Sequence, residues 1–113
     1  MSTRAERIGN NENLFREVNA RIEELGDKFG VHETGTFRIV CECGNDDCTA
    51  PIDLTLGEYT AVRENPIWFL LVPDHEQPDV EHVVEERDGY NVVEKLPGEP
   101  AQVAEEGYPD RAS

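Results

Sequence analysis

A chain of 113 residues is long enough for one domain with a modest core and too short for two. Twenty-five acidic residues against ten basic ones give a formal net charge of −15, which repels nucleic-acid backbones and anionic membrane surfaces, so direct binding to either is not expected. Only 37% of the residues are hydrophobic, which predicts a lean core, an unfolded stretch and a benefit from a metal staple.

Residues 1–10 are polar and are expected to be disordered, and they hold no apolar segment of the kind that forms a signal peptide. From residue 11 to 29, Leu14, Phe15, Val18, Ile22, Leu25 and Phe29 recur at steps of three and four, the signature of an amphipathic helix, with Gly30 as terminator. Glu12 with Arg16, Glu17 with Arg21 and Glu24 with Lys28 add acid-before-base pairs four residues apart.

Residues 36–43 are rich in β-branched and aromatic side chains and read as a strand running into the first two cysteines. Gly44, Asn45, Asp46 and Asp47 predict a turn, and residues 51–55 a return strand, which sets the cysteines at a hairpin tip. Thr55 followed by Glu58 matches a capping box and opens a second helix that must end before Pro66.

Residues 67–72, Ile-Trp-Phe-Leu-Leu-Val, lack polar alternation and predict the central strand, covered on both faces; they are far too few to span a bilayer, which takes about 20 residues. Residues 80–87 and 90–96 predict a hairpin around Asp88-Gly89, with a helical first arm carrying Val80, Val83 and Val84 as the competing reading. Proline, glycine and acid dominate residues 97–113, so a disordered acidic tail is expected there. The predicted architecture is a single α+β domain over residues 11–96. In it an N-terminal amphipathic helix lies on a small, mainly antiparallel sheet, with one inserted helix and a zinc knuckle at a hairpin tip.

The chemistry concentrates in Cys41-Glu42-Cys43-Gly44-Asn45-Asp46-Asp47-Cys48, where three thiols fall within eight residues. Zinc prefers such sulfur ligands in a tetrahedral shell, whereas a Cys-x-Cys disulfide would be strained and, in the expected cytoplasmic setting, reduced. Cys41, Cys43 and Cys48 leave one position open, and His75 is the preferred fourth ligand because it follows the predicted central strand; His82 and His32 are the fallbacks. A site of three thiolates and one imidazole is closed and negative, so it braces a fold rather than activating water. Glu42, Asp46 and Asp47 read as solvated turn residues, and Asp74 or Glu76 as groups that could orient His75.

The same eight residues resemble the zinc motif of the post-SET segment of histone methyltransferases, which implies metal binding and says nothing of catalysis. Across residues 12–95 the chain is also similar to a family of short acidic bacterial proteins with no assigned function. That likeness rests on Leu14-Phe15-Arg16-Glu17-Val18-Asn19, the Cys-Glu-Cys cluster, Glu58-Tyr59, Val62-Arg63, residues 73–75 and Val92-Val93-Glu94-Lys95.

No P-loop, dinucleotide-binding, nucleophile-elbow or paired-histidine metalloprotease pattern occurs. The expected function is a non-enzymatic, zinc-stabilised protein-interaction module in the cytoplasm. Its acidity suits a basic protein partner, and Phe15, Arg16, Tyr59 and Arg63 are candidate anchors. The alternatives are a thiol-based redox or zinc-release switch and, behind it, a zinc hydrolase in which water completes the shell and Glu42, Asp74 or Glu76 acts as base.

Overall fold

The computed structural model describes residues 3–28, 35–45 and 47–108. His32, Asp46 and the predicted terminator Gly30 lie outside them. The elements in chain order are α1 (Arg4–Lys28), β1 (Thr36–Val40), β2 (Pro51–Thr55), α2 (Leu56–Arg63), β3 (Trp68–Leu71), β4 (Glu81–Arg87), β5 (Tyr90–Lys95) and α3 (Glu99–Glu106). The predicted α+β class is what the chain adopts, with two small antiparallel sheets, β1-β2 and β3-β5-β4. No helix among the described residues is long and apolar enough to cross a membrane.

The hairpins follow their local signals. β1 and β2 alternate, with Ile39, Ile52 and Leu54 facing inward, and Arg38 and Asp53 opposite each other on the outside. Thr55 caps α2 as the capping box requires, its hydroxyl accepting from the Glu58 amide while the Glu58 carboxylate accepts from the Thr55 amide. The β4–β5 turn places Gly89 at φ 89°, a conformation glycine adopts without strain, and the first arm is a strand rather than a helix. The hydrophobic core lies between the β1–β2 hairpin, α2 and β3, where the Phe37 and Tyr59 rings meet edge to face at 5.5 Å.

Four expectations are corrected. The Ile67–Val72 segment supplies β3, but β5 is the central strand; the outer side of β3 pairs instead with the cysteine loop, through the Glu42 amide and the Leu70 carbonyl at 2.8 Å. Residues 4–10 are helical, because the Thr3 hydroxyl accepts from the Glu6 amide at 3.0 Å and Arg4 pairs with Asp79 and Gln77. Residues 99–106 form α3 rather than part of a disordered tail: Ala101 and Ala104 are small enough for close approach to the rest of the fold, and Asn13 of α1 donates to the Val103 carbonyl.

The fourth correction concerns the face that α1 buries. Leu14 and Val18 are 54% and 39% exposed, whereas Glu12, Arg16 and Asn19 are fully buried. The helix is seated by its polar stripe because buried counter-charges on β4, β5 and the cysteine loop wait beneath it, and its apolar stripe is left facing partly outward.

Candidate metal centre

The cysteine loop is held between three elements. Its ends stay paired, since the Cys41 amide donates to the Ala50 carbonyl at 2.8 Å and extends the β1–β2 ladder by one step. Beyond that step the Glu42 amide donates to the Leu70 carbonyl while the Glu42 carboxylate accepts from the Leu70 amide, so the segment between the two cysteines is fastened to β3. Gly44 then passes against α1, where a Cβ would lie 2.5 Å from Ile8 Cγ2, and its carbonyl accepts from Asn11 at 3.0 Å. The glycine is thus required for close approach to a neighbouring helix, not for a left-handed turn.

His75 arrives from the other sheet. Residues 72–75 form a tight turn closed by the His75 amide and the Val72 carbonyl at 3.1 Å, with Pro73 at its second position. Asp74 follows at φ 73°, which a type II turn demands of its third residue and which a non-glycine residue adopts at some cost. The turn sets the His75 Nδ1 3.6 Å from the Sγ of Cys41 and 3.6 Å from the Sγ of Cys48.

One ligand atom each from Cys41, Cys43, Cys48 and His75 falls within 4.8 Å of all the others. Metal–sulfur and metal–nitrogen distances of about 2.3 and 2.05 Å at a tetrahedral angle separate S from N by about 3.6 Å, which is the separation found for both measured pairs. The three cysteines are free and buried, and His75 is half-buried. The donor set fits a metal ion of the sulfur-preferring kind.

The electrostatics favour thiolate at Cys43 and oppose it at Cys41. A hydrogen bond from Cys41 is the largest influence on Cys43 and lowers its pKa to about 5, opposed by burial and helped by the Asn45 backbone, His75 and Cys48. The same bond, then burial, pushes Cys41 up, while the Val72 amide, donating to its sulfur at 3.2 Å, pulls it down. Sulfurs this close share a proton, and a divalent cation takes over that compensating role.

No family model matches this chain, and no curated protein or solved structure does either. The case for a metal site therefore rests on the geometry of the four side chains alone.

The other sequence candidates divide cleanly. His82 is on β4, half exposed, with its Nε2 3.6 Å from Glu94, and does not join the cluster. Asp47 is exposed as expected, and the structure pairs neither Asp74 nor Glu76 with His75 among the described residues. Glu42 is the correction that matters most: it is fully buried, not a solvated turn residue. Its carboxylate meets Arg63 in a two-pronged pair at 2.7 and 2.8 Å and accepts from Asn19 at 2.7 Å and the Leu70 amide at 3.0 Å. Arg16, Tyr59 and Arg63, expected as surface anchors, are also buried. The Arg16 guanidinium lies 4.5 Å from the Phe69 ring centroid and donates to the carbonyls of Pro66 and Ala104. One sequence signal pointed inward: in an extended Cys-Glu-Cys run, a residue between two ligands must face away from the metal.

Proposed function

We propose that Cys41, Cys43, Cys48 and His75 bind one structural Zn2+ and that the domain so braced is a non-enzymatic protein-interaction module. The observation that carries the zinc reading is the convergence of three thiols and one imidazole, from two different sheets, within 4.8 Å. With four protein ligands the shell is closed, and three thiolates leave the ion little Lewis acidity for turning water into a nucleophile. This chemistry supports a brace over a hydrolase.

Burial of all three thiols likewise supports a brace over a redox switch, which works through accessible, reactive thiolates. The interaction reading draws on the outward-facing Leu14 and Val18 of α1 and on a surface whose net charge of −15 suits a basic partner.

The test is metal and thiol quantification on protein purified without a histidine tag, followed by affinity capture with wild-type protein and with a Leu14→Asp, Val18→Asp variant. One zinc per chain, and a partner held by the wild type and lost by the variant, is the expected result. Three freely titrating thiols without zinc would overturn the brace, and equal capture by both proteins would overturn the role of α1.

A further inference from the structure

Glu42 sits between two of the proposed ligands, yet its carboxylate is bonded to none of them. Its four hydrogen bonds come from Asn19 of α1, twice from Arg63 at the end of α2, and from the Leu70 amide of β3. Asn19 doubles the link by pairing with the backbone on the other side of Cys41: its Nδ2 donates to the Val40 carbonyl at 2.8 Å and its Oδ1 accepts from the Val40 amide at 2.9 Å. The same short segment therefore presents sulfur to one side and the anchor of two helices to the other.

The charge balance makes this anchor hard to replace. Arg63 is buried; burial disfavours its charge, but Glu42 and, behind it, Tyr59 together more than offset that, and its pKa ends above the ordinary value. Arg16, also buried, has its pKa lowered to about 10, by burial first and then by repulsion from Arg63, with Glu42 the largest opposing influence. One carboxylate thus steadies two guanidinium groups, and a buried cation without its counter-charge is strongly destabilising.

We propose that Glu42 couples metal binding to the seating of α1 and α2, so that release of the ion from the loop of residues 41–48 releases both helices. The proposal rests on the zinc reading above and deepens it: the outer stripe of α1, with Leu14 and Val18, is presented to a partner only when the centre holds its metal. Glu42 is a positioning residue, acting on the ligands through the backbone that joins them.

The test compares hydrogen exchange in the full chain before and after zinc is removed by a chelator, and measures zinc affinity by competition with a chromophoric chelator for wild type, Glu42→Gln and Val93→Ala. Exchange protection across residues 4–28 and 56–63 is expected to fall together with that of residues 41–48. Glu42→Gln should bind zinc about 10- to 100-fold more weakly, the range found when groups supporting metal ligands are replaced. Val93→Ala, a core truncation on β5 that removes no hydrogen bond to Glu42, should keep the wild-type affinity, which separates positioning from general loss of stability. If the loop loses protection while α1 keeps it, the coupling is wrong, and that comparison needs no variant to fold. Wild-type affinity in Glu42→Gln would also overturn it while leaving the zinc site intact. Absence of zinc binding by the wild-type chain would overturn the zinc reading and the coupling together.

Discussion

Two buried charge clusters hold α1, and they are unbalanced in opposite senses. Beside the metal centre, one carboxylate, Glu42, serves two guanidinium groups, Arg63 and Arg16. Toward the N-terminal half of α1, one ammonium, Lys95, serves two carboxylates, with its Nζ 2.5 Å from Glu12 and 2.9 Å from Glu81. All six side chains are buried, and their formal charges cancel only when the clusters are taken together. Phe69 lies between them, with the Arg16 guanidinium 4.5 Å and the Lys95 ammonium 6.0 Å from its ring centroid. The difference is chemical: an excess carboxylate sheds its charge by taking up a proton, whereas a guanidinium keeps its charge across the physiological range.

Glu12 shows that relief in progress. Burial first, then the hydrogen bond and repulsion from Glu81, raise its pKa well above the ordinary 4.5, against the pull of Lys95, and its Oε2 has no hydrogen-bond partner among the described residues. At the other cluster every oxygen of Glu42 is engaged. The charge excess beside the cysteine loop therefore rests on guanidinium groups, which do not lose their charge between pH 5 and pH 8, whereas the excess at Lys95 rests on carboxylates.

Truncating each hub separates the two most strongly. Glu42→Ala leaves two buried cations uncompensated and should cost about 3–5 kcal/mol of unfolding free energy, with little change between pH 5 and pH 8. Lys95→Met leaves Glu12, whose pKa is already raised, without its cation and free to take up a proton, so its cost should be smaller at pH 5 than at pH 8. Urea unfolding of both variants at the two pH values checks this, and parallel pH profiles would dissolve the distinction.

Glu12→Gln sharpens the comparison with a smaller effect. Because the folded-state pKa of Glu12 is raised, its contribution to stability is full below the unfolded value near 4.5 and is lost as pH rises through the folded value. The amide mimics the protonated acid, so the variant should match the wild type at low pH and lose less stability on going to high pH. A variant whose stability falls with pH as steeply as that of the wild type would assign the slope to another group.

These clusters also mark where the sequence stopped being legible. The four side chains that cluster could be read because soft thiols, a tight spacing and an unfilled coordination position are local signals, and Thr55 with Glu58 and Asp88 with Gly89 are local in the same way. Glu42 with Arg63, and Glu12 with Lys95, pair across 21 and 83 positions, so nothing nearby in the sequence names the partner of either carboxylate. The rule that charged residues face water then assigned α1 the wrong inner face, leaving Leu14 and Val18 exposed where burial was expected. For α3 the misleading cue was composition: proline at its second position suits a helix start, and two alanines sufficed to seat it.

X-ray absorption at the zinc edge, on protein purified without a histidine tag, decides whether Cys41, Cys43, Cys48 and His75 hold a zinc ion. One zinc per chain is expected, with three sulfurs at about 2.3 Å and one nitrogen at about 2.0 Å, and loss of the imidazole's outer-shell scattering in His75→Ala. A shell without three sulfurs, or a spectrum unchanged by His75→Ala, would contradict that site.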